Sequence, residues 1–225
     1  MSKLLSYAHV LSSRCGTLPL WGTLLVLAGI FFERAPDKAE LRRGQQVELS
    51  SVKQLDDLQL IDAVLLRRAP ELGMTLRRQL AQAIAEESRR ANFDPLLVLA
   101  IIDVESDFED HAVSNRGAQG LMQLKPSTLY FWAQKEGMKL TREEMSGDTS
   151  LCVRLGIRYL RSLRDKFKDL DLALMAYNAG PTRIRQARRE GELDHFRIYP
   201  KLVRRDFRRF RVGVGLDGDW ALASR

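Results

Sequence analysis

The sequence predicts an all-α domain, on three observations. Apolar residues recur at three- and four-residue spacing across most of residues 52–212. Helix start and stop signals, such as Asp94-Pro95 and Gly180-Pro181, fall between these stretches. No stretch alternates with the period of two that a half-buried strand requires, and no internal repeat is present. A chain of 225 residues with 45% hydrophobic residues fits one domain with appendages and can bury a core.

Residues 18–32 (LPLWGTLLVLAGIFF) carry no charge and follow Lys3 and Arg14. A positive region followed by an apolar run is the layout of an export signal. As a helix, a run of this length spans only ~22 Å, short of a ~30 Å hydrocarbon core. Residues 1–32 are therefore expected to be a signal peptide or a signal-anchor. Residues 33–74 read as a linker: polar and mixed in charge to about residue 50, then a helix over 52–68 that Pro70 and Gly73 end. Thr75 is the expected cap of a helix over 76–91. Asp94 and Pro95 open the next helix, which is apolar nearly all round (LLVLAIIDVE) and so buried. A Gly-bearing loop over 108–120 follows. Helices are expected over 126–136, 151–167, 170–179, 182–190 and about 199–212. Residues 75–212 form the domain, and 213–225 a loose tail.

The formal net charge is +7, which concerns partners rather than fold. Residues 181–212 hold eleven Lys/Arg and four Asp/Glu, a difference equal to the net charge of the chain. Phe196, Tyr199, Phe207 and Phe210 are interleaved there. Either this is a solvated helix face with aromatics packed inward, or it is a patch for an anionic surface or envelope partner. An export signal argues against nucleic acid. Cys15 and Cys152 are too far apart, and lack any C-x-x-C, to read as a zinc site or a disulfide framework. His9, His111 and His195 are scattered, so no metal site is expected.

Chemistry concentrates in three blocks. Glu105 closes the buried helix that starts at Pro95. Apolar surroundings and the negative end of the helix dipole both disfavour its charged form, which suits a proton donor to a glycosidic oxygen. Gly117-Ala118-Gln119-Gly120-Leu121-Met122-Gln123 offers a tight loop and, at Gln123, an amide able to bind a sugar. Ala176-Tyr177-Asn178-Ala179-Gly180 places a phenol and an amide at the end of an apolar helix, where the phenol can donate to a carboxylate or a sugar oxygen. Each block alone has an ordinary structural explanation.

Together, Glu105-Ser106, Ser114, Gly117-Ala118, Gly120-Leu121-Met122-Gln123, Pro126, Thr128 and Ala176-Tyr177-Asn178 strongly resemble the soluble lytic transglycosylase catalytic domain, which is similar in fold to goose-type lysozyme. The resemblance covers about residues 76–199. It implies a lysozyme-like fold with a sugar-binding groove, a single catalytic glutamate at Glu105, and Ser114, Gln123, Tyr177 and Asn178 lining the groove. Met122 is either packing or contact. Lys125 departs from the family, where a methionine is usual. The implied substrate is the peptidoglycan glycan strand, cut at the MurNAc–GlcNAc β-1,4 bond with formation of 1,6-anhydro-MurNAc ends and no cofactor. The implied place is the periplasm or cell envelope, with a membrane contact through residues 1–32 if these stay uncleaved. A hydrolytic muramidase and an inactive wall-binding scaffold are the competing readings.

Overall fold

The computed structural model describes residues 38–141, 144 and 147–213. The expected signal segment (1–32), Cys15 and nearly all of the tail, 214–225, lie outside the described residues. The chain divides into two compact units, Met1–Ser50 and Ser51–Arg225.

Every element among the described residues is helical, save two isolated bridges, Val113 with Gln119 and Gln119 with Leu124. The helices are α1 (Lys38–Arg68), α2 (Met74–Ala91), α3 (Pro95–Ser106), α4 (Pro126–Lys135), α5 (Thr149–Phe167), α6 (Leu170–Ala179), α7 (Pro181–Glu190) and α8 (Ile198–Gly213). A 3-10 turn, Leu193–Phe196, joins the last two. None of these helices is long and apolar enough to cross a membrane.

Two expectations are corrected. The linker reading of residues 38–50 gives way to helix, since α1 begins at Lys38 rather than near residue 52. Its Glu, Leu, Arg and Gln residues are good helix formers, no proline interrupts them, and an existing helix extends at little cost. Thr75 does not cap α2. The N-cap is Gly73 and no side chain closes that end. Three other helices, α3, α5 and α6, have acidic caps. Asp94 accepts from the Leu96 N–H at 2.9 Å, Asp148 from Leu151 and Asp169 from Leu172, each at the positive end of its helix.

Helix α3 is the axis of the core. Leu96, Val98, Leu99, Ala100, Ile101 and Ile102 are wholly buried, as a helix without a polar face must be. It packs on α2 and, most extensively, on α8. Helix α5 packs on α2, α4 and α6. The α2–α5 seam holds a buried carboxylate: Glu87 takes a forked pair of bonds from Arg158 at 2.9 and 2.6 Å. The C-terminal part of α1 adds Ile61, Val64 and Leu65 to the same core. In the basic 181–212 stretch, Tyr199 and Phe210 are buried and Phe196 and Phe207 half-buried. Much of its charge is matched: Arg197 pairs with Asp194, Arg204 with Asp171, Arg205 with Asp206, and Arg209 with Asp103.

Candidate active site

Glu105 lies in the last turn of α3. Immediately beyond Ser106 the chain makes two successive left-handed residues, Asp107 (φ 53°) and Phe108 (φ 67°). Such residues cost conformational energy unless their surroundings hold them there. Here the holding group is the Phe108 ring, fully buried and packed edge-on against Phe210, with the centroids 6.2 Å apart. The bend turns the chain away at the end of α3, so the Glu105 carboxyl sits at a helix terminus rather than against a continuing rod.

Among the described residues the hydrogen-bond partner of the Glu105 carboxyl is the Tyr199 hydroxyl of α8, which donates to Oε1 at 2.5 Å. Burial pushes the Glu105 pKa from the ordinary 4.5 up to about 7, and the Tyr199 hydrogen bond partly opposes it. The Tyr177 and Tyr199 phenols are in turn held well above their ordinary range, first by burial and then by the nearby Glu105 carboxylate. The two carboxyls nearest along the chain are engaged with arginines. Asp103, two residues earlier, is paired with Arg68 and Arg209, and Asp107 with Arg68.

The three sequence blocks are wired to one another. Ser106, beside Glu105, donates its hydroxyl to the Leu121 carbonyl at 3.0 Å and to Ile102 at 3.1 Å. Tyr177 donates to the Met122 carbonyl at 2.8 Å. The two N–H bonds of the Gln123 side-chain amide run to the carbonyls of Ala112 and Gly120, both at 3.0 Å. Ser114 accepts from the Ala118 and Arg116 N–H groups within the same loop. Left-handed backbone at Gly117 and Gly120 (φ 73° and 71°) makes the tight turns. The loop over 108–124 is thus bolted to α3 through Ser106 and to α6 through Tyr177.

The expected residues therefore divide by what their polar atoms do. The phenol expected to reach Glu105 is that of Tyr177, but its proton goes to the Met122 carbonyl, and the group that reaches the acid is Tyr199. Met122 is packing: it is 3% exposed, and a Cβ at Gly156 of α5 would meet its sulfur at 2.5 Å. Ser114 and Gln123 are half-buried with hydrogen bonds committed to the loop, although the Gln123 amide oxygen keeps its acceptor capacity. Asn178 is exposed at the end of α6, and Lys125 is exposed at the N-cap of α4, where its side chain makes no capping bond.

Sequence reasoning assigned no chemistry to Tyr199, Arg68 or Arg209. A signal was present in α8, where Tyr199, Val203, Asp206 and Phe210 recur on one face and all are buried. An acidic residue on an apolar stripe marks a seam where charges meet, but not which charges.

Known proteins resemble this chain in sequence and in fold. The transglycosylase SLT domain family matches residues 82–197. A transglycosylase of Enterobacteria phage PRD1 is 31% identical over 99 residues, 44% of this chain and 34% of that protein. The membrane-bound lytic murein transglycosylase F of Desulfosudis oleivorans is 31% identical over 115 residues, 46% of this chain and 22% of that protein. The matched region thus spans about a third or less of these relatives. Among solved structures, the lytic transglycosylase Slt of Pseudomonas aeruginosa superposes with a TM-score of 0.52 at 27% identity, covering 59% of this chain and 24% of that one. The 70 kDa soluble lytic transglycosylase of Escherichia coli gives a TM-score of 0.52 at 20% identity over 84% of this chain and 32% of that one, a likeness of fold. Spanning just over half of the residues, the family match identifies this chain as a member of the transglycosylase SLT domain family.

Proposed function

We propose that the protein is a lytic transglycosylase of peptidoglycan that works with one carboxyl group. The observation that carries this reading is Glu105, a carboxyl whose pKa is pushed to about 7 and which sits at the end of a buried helix with a phenol on its oxygen. A group that titrates near neutral pH can give a proton and take one back in the same cycle. Two-carboxylate glycosidases need a second acid ~5–9.5 Å away on the far side of the bond. The acids two residues away along the sequence, Asp103 and Asp107, are tied to arginines. A single carboxyl instead suits participation of the substrate's own 2-acetamido group.

In this mechanism Glu105 protonates the oxygen between MurNAc and GlcNAc, and the C1–O bond breaks. The acetamido oxygen stabilises the developing charge at C1. The Glu105 carboxylate then takes the proton of the same sugar's 6-hydroxyl, which closes on C1. The product carries a 1,6-anhydro-MurNAc end, no water is consumed and no cofactor takes part. Tyr199 stabilises the carboxylate while the proton is away, as a donor to an ionised acceptor does. The loop bolted down by Ser106 and Tyr177 forms one wall of the glycan groove, with Ser114, Gln123 and Asn178 on the sugar side. The segment before α1 carries the chain out of the cytoplasm, to the periplasm or cell envelope, as signal or anchor.

Mass spectrometry of fragments released from purified peptidoglycan tests the reaction. Anhydro ends are expected from the wild-type protein, and a rate loss of at least ~10²-fold from Glu105→Gln. Reducing ends would instead make it a hydrolase, and no release would make it a binding protein. A reporter active only outside the cytoplasm, fused after Arg225, tests export, and an inactive, well-expressed fusion would count against it.

A further inference from the structure

Asp103 lies in the helix that carries Glu105, yet its carboxyl takes no part at the acid. It is 5% exposed as a side chain and gripped by Arg68 of α1 and Arg209 of α8. Two residues along a helix turn a side chain by ~200°, so Asp103 and Glu105 leave α3 on nearly opposite sides. Helix α8 nonetheless reaches both, through Arg209 to Asp103 and through Tyr199 to Glu105. The two attachment points are ~15 Å apart along α8 but only ~3 Å apart along α3. A slide or tilt of α8 cannot keep both.

We propose that Asp103 is a positioning residue for Glu105: held between Arg68 and Arg209, it fixes the register of α8 on the catalytic helix and so keeps the Tyr199 hydroxyl on the Glu105 carboxylate. The surroundings of the pair are built for this. Phe210, next to Arg209, packs edge-on against Phe108, and the Arg68 guanidinium lies 5.2 Å from the Phe108 ring centre. Asp206, 1% exposed, faces the same seam one turn earlier and is paired with Arg205. The charged groups about Asp103 are thus Arg68 from α1, Arg205, Asp206 and Arg209 from α8, and Asp107 at the end of α3. Those about Glu105 are the phenols Tyr199 and Tyr177. A buried pair of this kind adds little net stability, because desolvation offsets the attraction, but it tolerates only one arrangement of the helices that supply it. Asp103 and Glu105 lie within residues 82–197, the family match, whereas Arg68, Tyr199 and Arg209 come from the helices on either side of it.

The role of Glu105 as the acid rests on the proposed function, whereas the alignment itself does not, and the test separates them. In full-length protein labelled at tyrosine Cζ, the Tyr199 resonance, assigned through Tyr199→Phe, should respond to Glu105 ionisation near pH 7 and lose that response in Glu105→Gln. Asp103→Asn should lose at least half the amplitude of the response, while Arg209→Lys, which keeps the charge, retains it. On peptidoglycan, Asp103→Asn should lower kcat about tenfold, the size of a lost charge-assisted hydrogen bond, with KM within about twofold. It should lower kcat no further once Tyr199 is Phe, because the two changes break the same contact, whereas a general loosening of the fold would multiply the losses. Should Asp103→Asn not fold, Arg209→Gln leaves the Arg68–Asp103 pair in place and carries the same readings. An undiminished Tyr199 response in the folded variant overturns the proposal, whether or not the wild-type protein cuts peptidoglycan; failure of the wild type to cut it overturns only the proposed function.

Discussion

Glu105→Gln should stabilise the protein, and by an amount that depends on pH in a defined window. The Glu105 carboxyl has a folded-state pKa of about 7 against an ordinary 4.5. Below pH 4.5 it is protonated in both folded and unfolded chains, and the amide and the acid differ little. Between 4.5 and 7 the unfolded chain ionises while the folded chain holds its proton, so the wild type loses stability with each unit of pH. Above 7 both states are ionised and the loss levels off. A shift of about 2.5 units at 1.36 kcal/mol each makes the plateau about 3 kcal/mol. The amide cannot ionise and escapes this cost, and it can still accept the Tyr199 hydrogen bond. Urea denaturation of both proteins at pH 4.5, 6 and 8 should therefore show a gap that opens from near zero to about 3 kcal/mol in favour of Gln. A gap constant to within about 0.5 kcal/mol across that range would mean that Glu105 titrates like an exposed glutamate, and the reasoning about its burial would fall.

Tyr199→Phe removes a donor to an ionised acceptor, worth ~1.5–3 kcal/mol, so the Glu105 pKa should rise further. The alkaline limb of kcat/KM should move to higher pH while maximal turnover falls ten- to a hundredfold, and an unmoved limb would separate Tyr199 from the acid. Tyr177→Phe leaves the Met122 carbonyl without its partner, so stability should fall by about 1–2 kcal/mol with the alkaline limb in place; a moved limb at full stability would return Tyr177 to the acid. Gly156→Ala sets a Cβ 2.5 Å from the Met122 sulfur, and the displaced side chain should cost about 1–3 kcal/mol, more than the helix gains from alanine; a stabilised variant would show that Met122 moves freely.

The parts legible in the sequence are those set by neighbours along the chain. Helix α3 announces itself by Asp94-Pro95 and an unbroken apolar run, and Glu105 by its place at the end of that run. The break at Gly180-Pro181 is equally local. What escapes a reading of the sequence depends on distance along the chain. Tyr199 lies 94 residues from Glu105, and Arg68 and Arg209 lie 35 and 106 from Asp103. Nothing in the local pattern distinguishes the tyrosine that caps the acid from the one that anchors a loop. Tyr177 is the more conspicuous donor because it stands in a recognisable block, whereas Tyr199 opens a helix otherwise notable for its arginines. Residues 38–50 mislead for the opposite reason: a polar face resembles a linker until the continuing helix beyond it is seen.

Helices α1 and α8 flank the region that family resemblance marks out, yet they hold parts of its centre. A fragment cut at residues 82 and 197 would discard Ile61, Val64, Leu65, Val203 and Phe210 from the core, all nearly or wholly buried. It would also leave Glu105 bare on one side and Asp103 without either counter-charge. The recognisable signature and the smallest piece able to fold and act are therefore different objects. The signature marks the stretch that the family model matches, whereas the core and the contacts of Glu105 and Asp103 extend into the helices on either side. Moving the Glu105 setting into another protein would mean moving residues 51–213 together, and a graft limited to the motif would carry the carboxyl without Tyr199 and Asp103 without its arginines.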